Sequence, residues 1–92
     1  MNAQALKTVL IEELSATEDG DAILVPTDRK VTVIAHLSEQ LVAVSRVRSV
    51  RIKPSFINIV GDAEELFVDA SCEFIVKSEV ARGQADARPG VH

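Results

Sequence analysis

Apolar positions along this chain recur in two rhythms. Between Asn2 and Ser15, Leu6, Val9, Leu10 and Leu14, joined by Ala3 and Ala5, fall three or four residues apart, which places them on one face of an α-helix. Asn2 stands where an N-cap is wanted, whereas Glu12 and Glu13 fall near the C-terminal end, where the helix dipole disfavours negative charge. Such a helix depends on packing for its stability. Docking on a partner or a membrane surface is the other use of its apolar face, but Lys7 is the one cation on the polar side, so core packing is the expectation.

After the loop-like segment Ala16 to Asp21 the rhythm changes to two. Ala22 to Val25 is a short apolar run closed by Pro26, and Val31 to Leu37 alternates, with Pro26 to Lys30 read as a hairpin connection between them. Thr32, Ile34 and His36 share one face of that strand; Val31, Val33, Ala35 and Leu37 share the other and are expected to face the core. A turn at Leu37 to Gln40 opens the stretch around which the chain is organised, Gln40 to Lys77, which holds nearly all the large apolar residues of the C-terminal half. These are mostly valine, isoleucine and phenylalanine, types that suit a pleated surface.

Within that stretch Leu41 to Ser45 reads as a strand, and then the parity breaks. Val47 is odd-numbered whereas Val50 and Ile52 are even, so one face can hold all three only with an extra residue, placed at Arg48 and Ser49 as a bulge. A helix through Leu37, Leu41, Val44 and Val47 also satisfies the spacing, but the density of valine favours strand. Pro54 separates RVRSVRIK from SFINIV, Gly61 and Asp62 turn the chain into Glu65 to Ala70, and Cys72 to Lys77 continues extended. The prediction is an α+β domain over residues 1–77. It has an N-terminal amphipathic helix (2–15) packed on a strongly bent antiparallel sheet, or a small partly closed barrel, of five to seven short strands (22–77). Residues 78–92, poor in large apolar side chains, are expected to be a disordered tail.

Composition narrows the function more than it names it. The chain has 92 residues, a length that supports one small core and is helped by self-association, so a homo-oligomer is expected. One cysteine and two histidines, one of them the last residue, neither close a disulfide nor complete a zinc site, so no metal or cofactor is expected and the compartment is read as reducing and cytoplasmic. No apolar run approaches the length of a membrane span. A net charge of −4 argues against a surface that binds nucleic acid as a whole.

The sharpest local feature is a basic stripe, Arg46, Arg48, Arg51 and Lys53, with Arg29 and Lys30 expected near it. Guanidinium groups hold phosphate oxygens in bidentate fashion, which suits a nucleic-acid backbone, a lipid head group or a phosphorylated partner. Charged residues alternating along a strand are also what a solvated sheet face looks like, and Glu64, Glu65, Asp69 and Glu73 lie on strands that could pair with the cations. Stacking of bases needs exposed aromatics, and Phe56, Phe67 and Phe74 all sit in core-like runs. Catalytic signals are missing: the glycines are isolated, the acidic pairs are adjacent residues that point apart, and the serines, His36 and Cys72 lie in no recognised nucleophile motif. The chain is therefore not expected to be an enzyme.

The run from Ala22 to Ser71 resembles the strand pattern of small bacterial pleckstrin-homology-like and GRAM-like domains. The resemblance rests on a strand ending near the Thr27-Asp28-Arg29 turn, a second strand, the segment LVAVSRVRSVRI and the hairpin INIVGDAEELFV. It implies a bent antiparallel sheet used to bind protein or lipid head groups, without enzymatic activity. The chain departs from it in placing its helix before the strands and in having, after Lys77, a segment expected to be disordered where such domains usually carry a closing helix. An Sm-like or SH3-like small barrel with a leading helix fits the element order as well. The reading that follows is a non-enzymatic protein-binding or adaptor module, acting through an edge strand near Leu41 to Ser45 or through the basic stripe. A nucleic-acid or lipid-head-group binder using that stripe comes second, and a small acidic inhibitor or accessory protein of a mobile element third.

Overall fold

The computed structural model describes residues 1–79. Residues 80–92, most of the tail expected to be disordered, lie outside the described residues; Ser78 itself ends the last strand. A short helix, α1 (Ala3–Thr8), runs into a wider turn of π-helix (Val9–Glu13), and eight strands follow. They are β1 (Thr17–Asp19), β2 (Ala22–Leu24), β3 (Val31–Leu37), β4 (Gln40–Val44), β5 (Val47–Ile52), β6 (Phe56–Gly61), β7 (Glu65–Asp69) and β8 (Glu73–Ser78).

The helix begins as its sequence directs. The Asn2 side-chain oxygen accepts the Ala5 backbone N–H at 2.9 Å, satisfying one of the donors that a helix start leaves free. Widening in the second half, where the Leu14 N–H reaches back to the Val9 carbonyl at 3.2 Å, brings residues four apart closer into line. Leu6, Leu10 and Leu14 accordingly form one buried row. Ser15 then takes a left-handed conformation, φ 62°, which ends the helix. The expected loop over Ala16 to Asp21 does reverse the chain, at Gly20-Asp21, but half of it is strand: β1 pairs with β2 through that two-residue turn, with Gly20 at φ 64°. A glycine at the first central position is what a tight hairpin of this kind requires, and the hydrophilic composition of Thr17-Glu18-Asp19 hid the strand because all three side chains are exposed.

All strand pairs are antiparallel, and they form two sheets that do not close into a barrel. One has the order β1-β2-β5-β6-β7, the other β4-β3-β8. This corrects the expected count of five to seven strands in a single bent sheet or partly closed barrel. It also corrects the hairpin placed at Pro26 to Lys30: β2 and β3 belong to different sheets, so that segment carries the chain across. Between Leu37 and Val47 the chain is strand throughout apart from its turns, which disposes of the helical alternative.

Alternation assigns each strand's faces. Ile23, Val50, Ile57, Ile59 and Val68 of the five-stranded sheet share a buried cluster with Val31, Val33, Ala35, Val44 and Phe74 of the three-stranded one, and Leu6, Leu10 and Leu14 belong to it too. Fully burying each of the valine, leucine, isoleucine and phenylalanine side chains among them contributes about 1.5–3 kcal/mol. The parity break resolves as expected: the β5–β6 register shifts between Val47 and Ser49, and Val47 and Val50 are both buried. Just before the bulge, Arg46 adopts φ 52°, so a two-residue bend, Ser45-Arg46, takes the chain from β4 into β5.

Gly61 packs against that bend. A Cβ at position 61 would sit 2.6 Å from the Ser45 carbonyl oxygen and 2.8 Å from Val44 Cγ1, distances that force backbone to move. Gly61→Ala is expected to destabilise the fold by about 2–3 kcal/mol, the scale of overpacking a filled site. Urea unfolding measures it; an unchanged midpoint would show that the two sheets do not depend on this approach.

Candidate functional site

The basic stripe is spread along β5 and its flanks, and most of it is already neutralised. Arg48, at the bulge, grips Asp62 of the β6–β7 loop as a fork, Nε to Oδ1 at 2.5 Å and Nη2 to Oδ2 at 3.2 Å. Lys53 Nζ lies 2.5 Å from Asp21 Oδ2, and Arg51 Nε lies 3.6 Å from Asp21 Oδ1. The acids that do this are Asp21 and Asp62, both in turns. The acids expected from the strands are not involved: Glu73 meets the Met1 amino group at 3.2 Å, and Glu64, Glu65 and Asp69 make no ion pair among the described residues.

These contacts shape the acids as well as the cations. Asp21 is held below its usual value of 3.8 first by the hydrogen bond from Lys53, then by the charges of Lys53 and Arg51. Asp62 is held down by the hydrogen bond from Arg48, with the charges of Arg48 and Arg46 adding to it. Arg46, at the bend, makes no ion pair among the described residues. The same is true of Arg29 and Lys30, which lie in the β2–β3 crossover, where the Lys30 backbone carbonyl accepts the Glu79 N–H at 3.0 Å. No described contact joins those two to the β5 cations, so the expected single stripe is broken into local pairs and scattered charges.

Two sheet surfaces carry exposed apolar side chains. On the outer face of the five-stranded sheet Phe67 is 63% exposed and Phe56 37%, their rings 6.0 Å apart and tilted by 55°. This corrects the placement of all three phenylalanines in the core, where only Phe74 lies. Parity held the signal: Phe67 shares its face with Glu65 and Asp69, while Leu66 and Val68 take the inner face. Asn58, opposite both Arg51 and Phe67, is buried between them at 3% exposure and donates from Nδ2 to the Leu66 carbonyl at 3.4 Å. On the outer face of the three-stranded sheet, Ala43, Ile34 and Ile75 form one cross-strand row, and Leu41, His36 and Glu73 form the next.

The free edges differ in how they are protected. β1 is three residues long and carries Glu18 and Asp19, and β7 carries Glu65 and Asp69. β8 is covered at its start and carries Glu73 and Lys77: the Phe74 N–H donates to the Met1 carbonyl at 2.6 Å, and the Met1 amine donates to the Phe74 carbonyl at 2.7 Å. β4, Gln40-Leu41-Val42-Ala43-Val44, is the remaining edge, with no charge and no proline. Its hydrogen-bonding phase follows from the two-residue turn Ser38-Glu39: Leu37 and Gln40 close the hairpin as a bonded pair, so Val42 and Val44 also bond inward, and Leu41 and Ala43 point N–H and C=O outward. Phe74 gives the same phase from the other side, since it turns away from β3 toward Met1.

A cleft of about 140 Å³ between α1 and the β1–β2 hairpin, crossed by the 2.9 Å Lys7–Glu18 ion pair, is smaller than the roughly 300 Å³ at which small-molecule sites begin. Cys72 is half-buried against the core. Among the described residues no cluster of three metal-ligating side chains forms, and no helix is long and apolar enough to cross a membrane. Comparison with family models, with curated proteins and with solved structures finds no match.

The ion pairs make stability depend on acid. A folded-state pKa below the unfolded value means that Asp21 and Asp62 favour the fold fully above their usual value, and that this contribution disappears as pH falls through the lowered values. Urea midpoints are expected to decline below about pH 4, and the Asp21→Asn/Asp62→Asn variant to be less stable at neutral pH with a shallower decline between about pH 4 and 2. An unaltered slope in that variant would assign the acid sensitivity to other carboxylates.

Proposed function

We propose that this chain is a non-enzymatic binding module that takes up an extended strand on the free side of β4. What supports the reading is one observation: β4 presents outward backbone donors and acceptors at Leu41 and Ala43, and nothing in its sequence protects them. Main-chain bonding of this kind gives affinity, and the side chains alternating along the added strand give selectivity. Leu41, 59% exposed on the outer face, is the side chain beside which an added strand would lay its own apolar residues. The partner is read as protein, a homo-oligomer being the simplest case, and the setting as cytoplasmic, consistent with the single cysteine.

The helix enters this reading as structural cover packed on the sheets, because Leu6 and Leu10 are fully buried and leave little apolar surface for a second docking role. Use of a sheet for recognition is what the pleckstrin-homology-like and GRAM-like resemblance implies. The second reading, a nucleic-acid or lipid-head-group binder, has Arg29, Lys30 and Arg46 available to it. It ranks lower because Arg48, Arg51 and Lys53 already face carboxylates, and a phosphate would have to displace Asp62 or Asp21.

Two labelled peptides test the first reading: one with the sequence of residues 38–46, and one of unrelated sequence alternating valine and threonine. Fluorescence anisotropy is expected to show binding that is little changed by about 0.5 M salt and about tenfold weaker in Ala43→Pro, which removes one outward N–H while sparing the bonds to β3. If neither peptide binds, the edge-strand reading fails. Steeply salt-sensitive binding of a single-stranded oligonucleotide or of anionic vesicles, lost in Arg46→Glu, would favour the phosphate reading instead.

A further inference from the structure

Resting on the strand-accepting reading of β4, we propose that the strand it takes up is β4 of a second copy, paired antiparallel about a two-fold axis through Val42. The outward-pointing residues fix this register. Leu41 and Ala43 must meet outward-pointing residues of the partner strand, and with Val42 opposite its own copy, Leu41 faces Ala43 and Ala43 faces Leu41. Both pairs are bonded, and the three-stranded sheet becomes one continuous sheet of six.

Two-fold pairing doubles whatever charge a strand carries near the axis, so a strand with a lysine or glutamate there opposes itself. β4 has none. On the outer face the pairing extends the Ala43-Ile34-Ile75 row of each copy by Leu41 of the other, covering a side chain that is 59% exposed alone. On the inner face the half-buried Val42 meets its own copy.

Charge enters only at the ends, and there it is complementary. The same register sets Glu39 of one copy opposite Ser45 of the other, one residue from its Arg46, and the symmetry repeats this at the far end. Neither Glu39 nor Arg46 makes an ion pair among the described residues, and Asp62, whose carboxyl feels the charge of Arg46, is already held by Arg48. The pairing therefore gives a partner to one cation and one acid that the single copy leaves apart.

Sedimentation of the full chain against concentration is expected to show a monomer–dimer equilibrium. Glu39→Arg and Arg46→Glu each weaken it by roughly tenfold, since each places like charges at both ends of the pairing. An equal mixture of the two variants recovers the dimer, because every end then holds opposite charges, and a mere folding defect would not be rescued by mixing. In a Cys72→Ser background, Val42→Cys is expected to close an intermolecular disulfide, while Gln40→Cys, which lies opposite Val44 and not itself, does not. A chain that stays monomeric to about 1 mM overturns self-pairing. If that monomer still binds the unrelated valine–threonine peptide, and loses it in Ala43→Pro, the strand-accepting reading survives and only the identity of the partner is wrong. A dimer that ignores both charge reversals and does not recover on mixing overturns this register.

Discussion

The fold turns on a close backbone approach at one corner. Ser45 and Arg46 take the chain from β4 to β5, and Gly61 at the end of β6 comes so near the Ser45 carbonyl that no side chain fits. Because the bend is only two residues long, the last residue of β4 and the first of β5 both remain buried, Val44 toward one sheet's inner face and Val47 toward the other's. Arg46 absorbs the change of direction in a left-handed backbone, and the bulge beside it restores the alternation so that Val50 also faces inward. Two sheets can then share a single core although every strand is short.

Charge in this molecule is organised locally. Three of the four stripe cations lean on carboxylates of adjoining turns, which leaves an acidic chain without an extended positive field. These exposed pairs contribute little energy each, and their effect is to occupy groups that would otherwise attract phosphate. Arg46 at the corner and Glu39 in the turn that precedes β4 are among the charges that make no ion pair among the described residues. Of the four edge strands only the one between them carries no charge, and this contrast is what gives the binding proposal its direction.

Each free edge meets the general hazard of unpaired backbone in its own way. Shortness and acids protect β1, acids at both ends protect β7, and Met1 covers the start of β8, which also carries Glu73 and Lys77. A strand of valine, alanine and leucine with none of these devices stands out against the other three. Its outward-pointing bonds have an orientation fixed by the hairpin turn, so the question of partner becomes one of register and can be answered at single residues.

Much of this was written in the chain itself. Period-four leucines set the helix, period-two valines set seven of the eight strands, and the mismatch between Val47 and Val50 located the bulge, because side-chain direction in regular backbone depends only on residue spacing. β1 escaped, since Thr17, Glu18 and Asp19 bury nothing and leave no apolar trace. Partnership was not legible: which strands pair, that Pro26 to Lys30 crosses between sheets, and that Asp21 and Asp62 face the cations all depend on groups far apart in sequence. The phenylalanines show the boundary most clearly. Alternation split Phe67 from Val68, but only the assembled sheets determined which of the two faces met water, because a face becomes interior when another layer covers it.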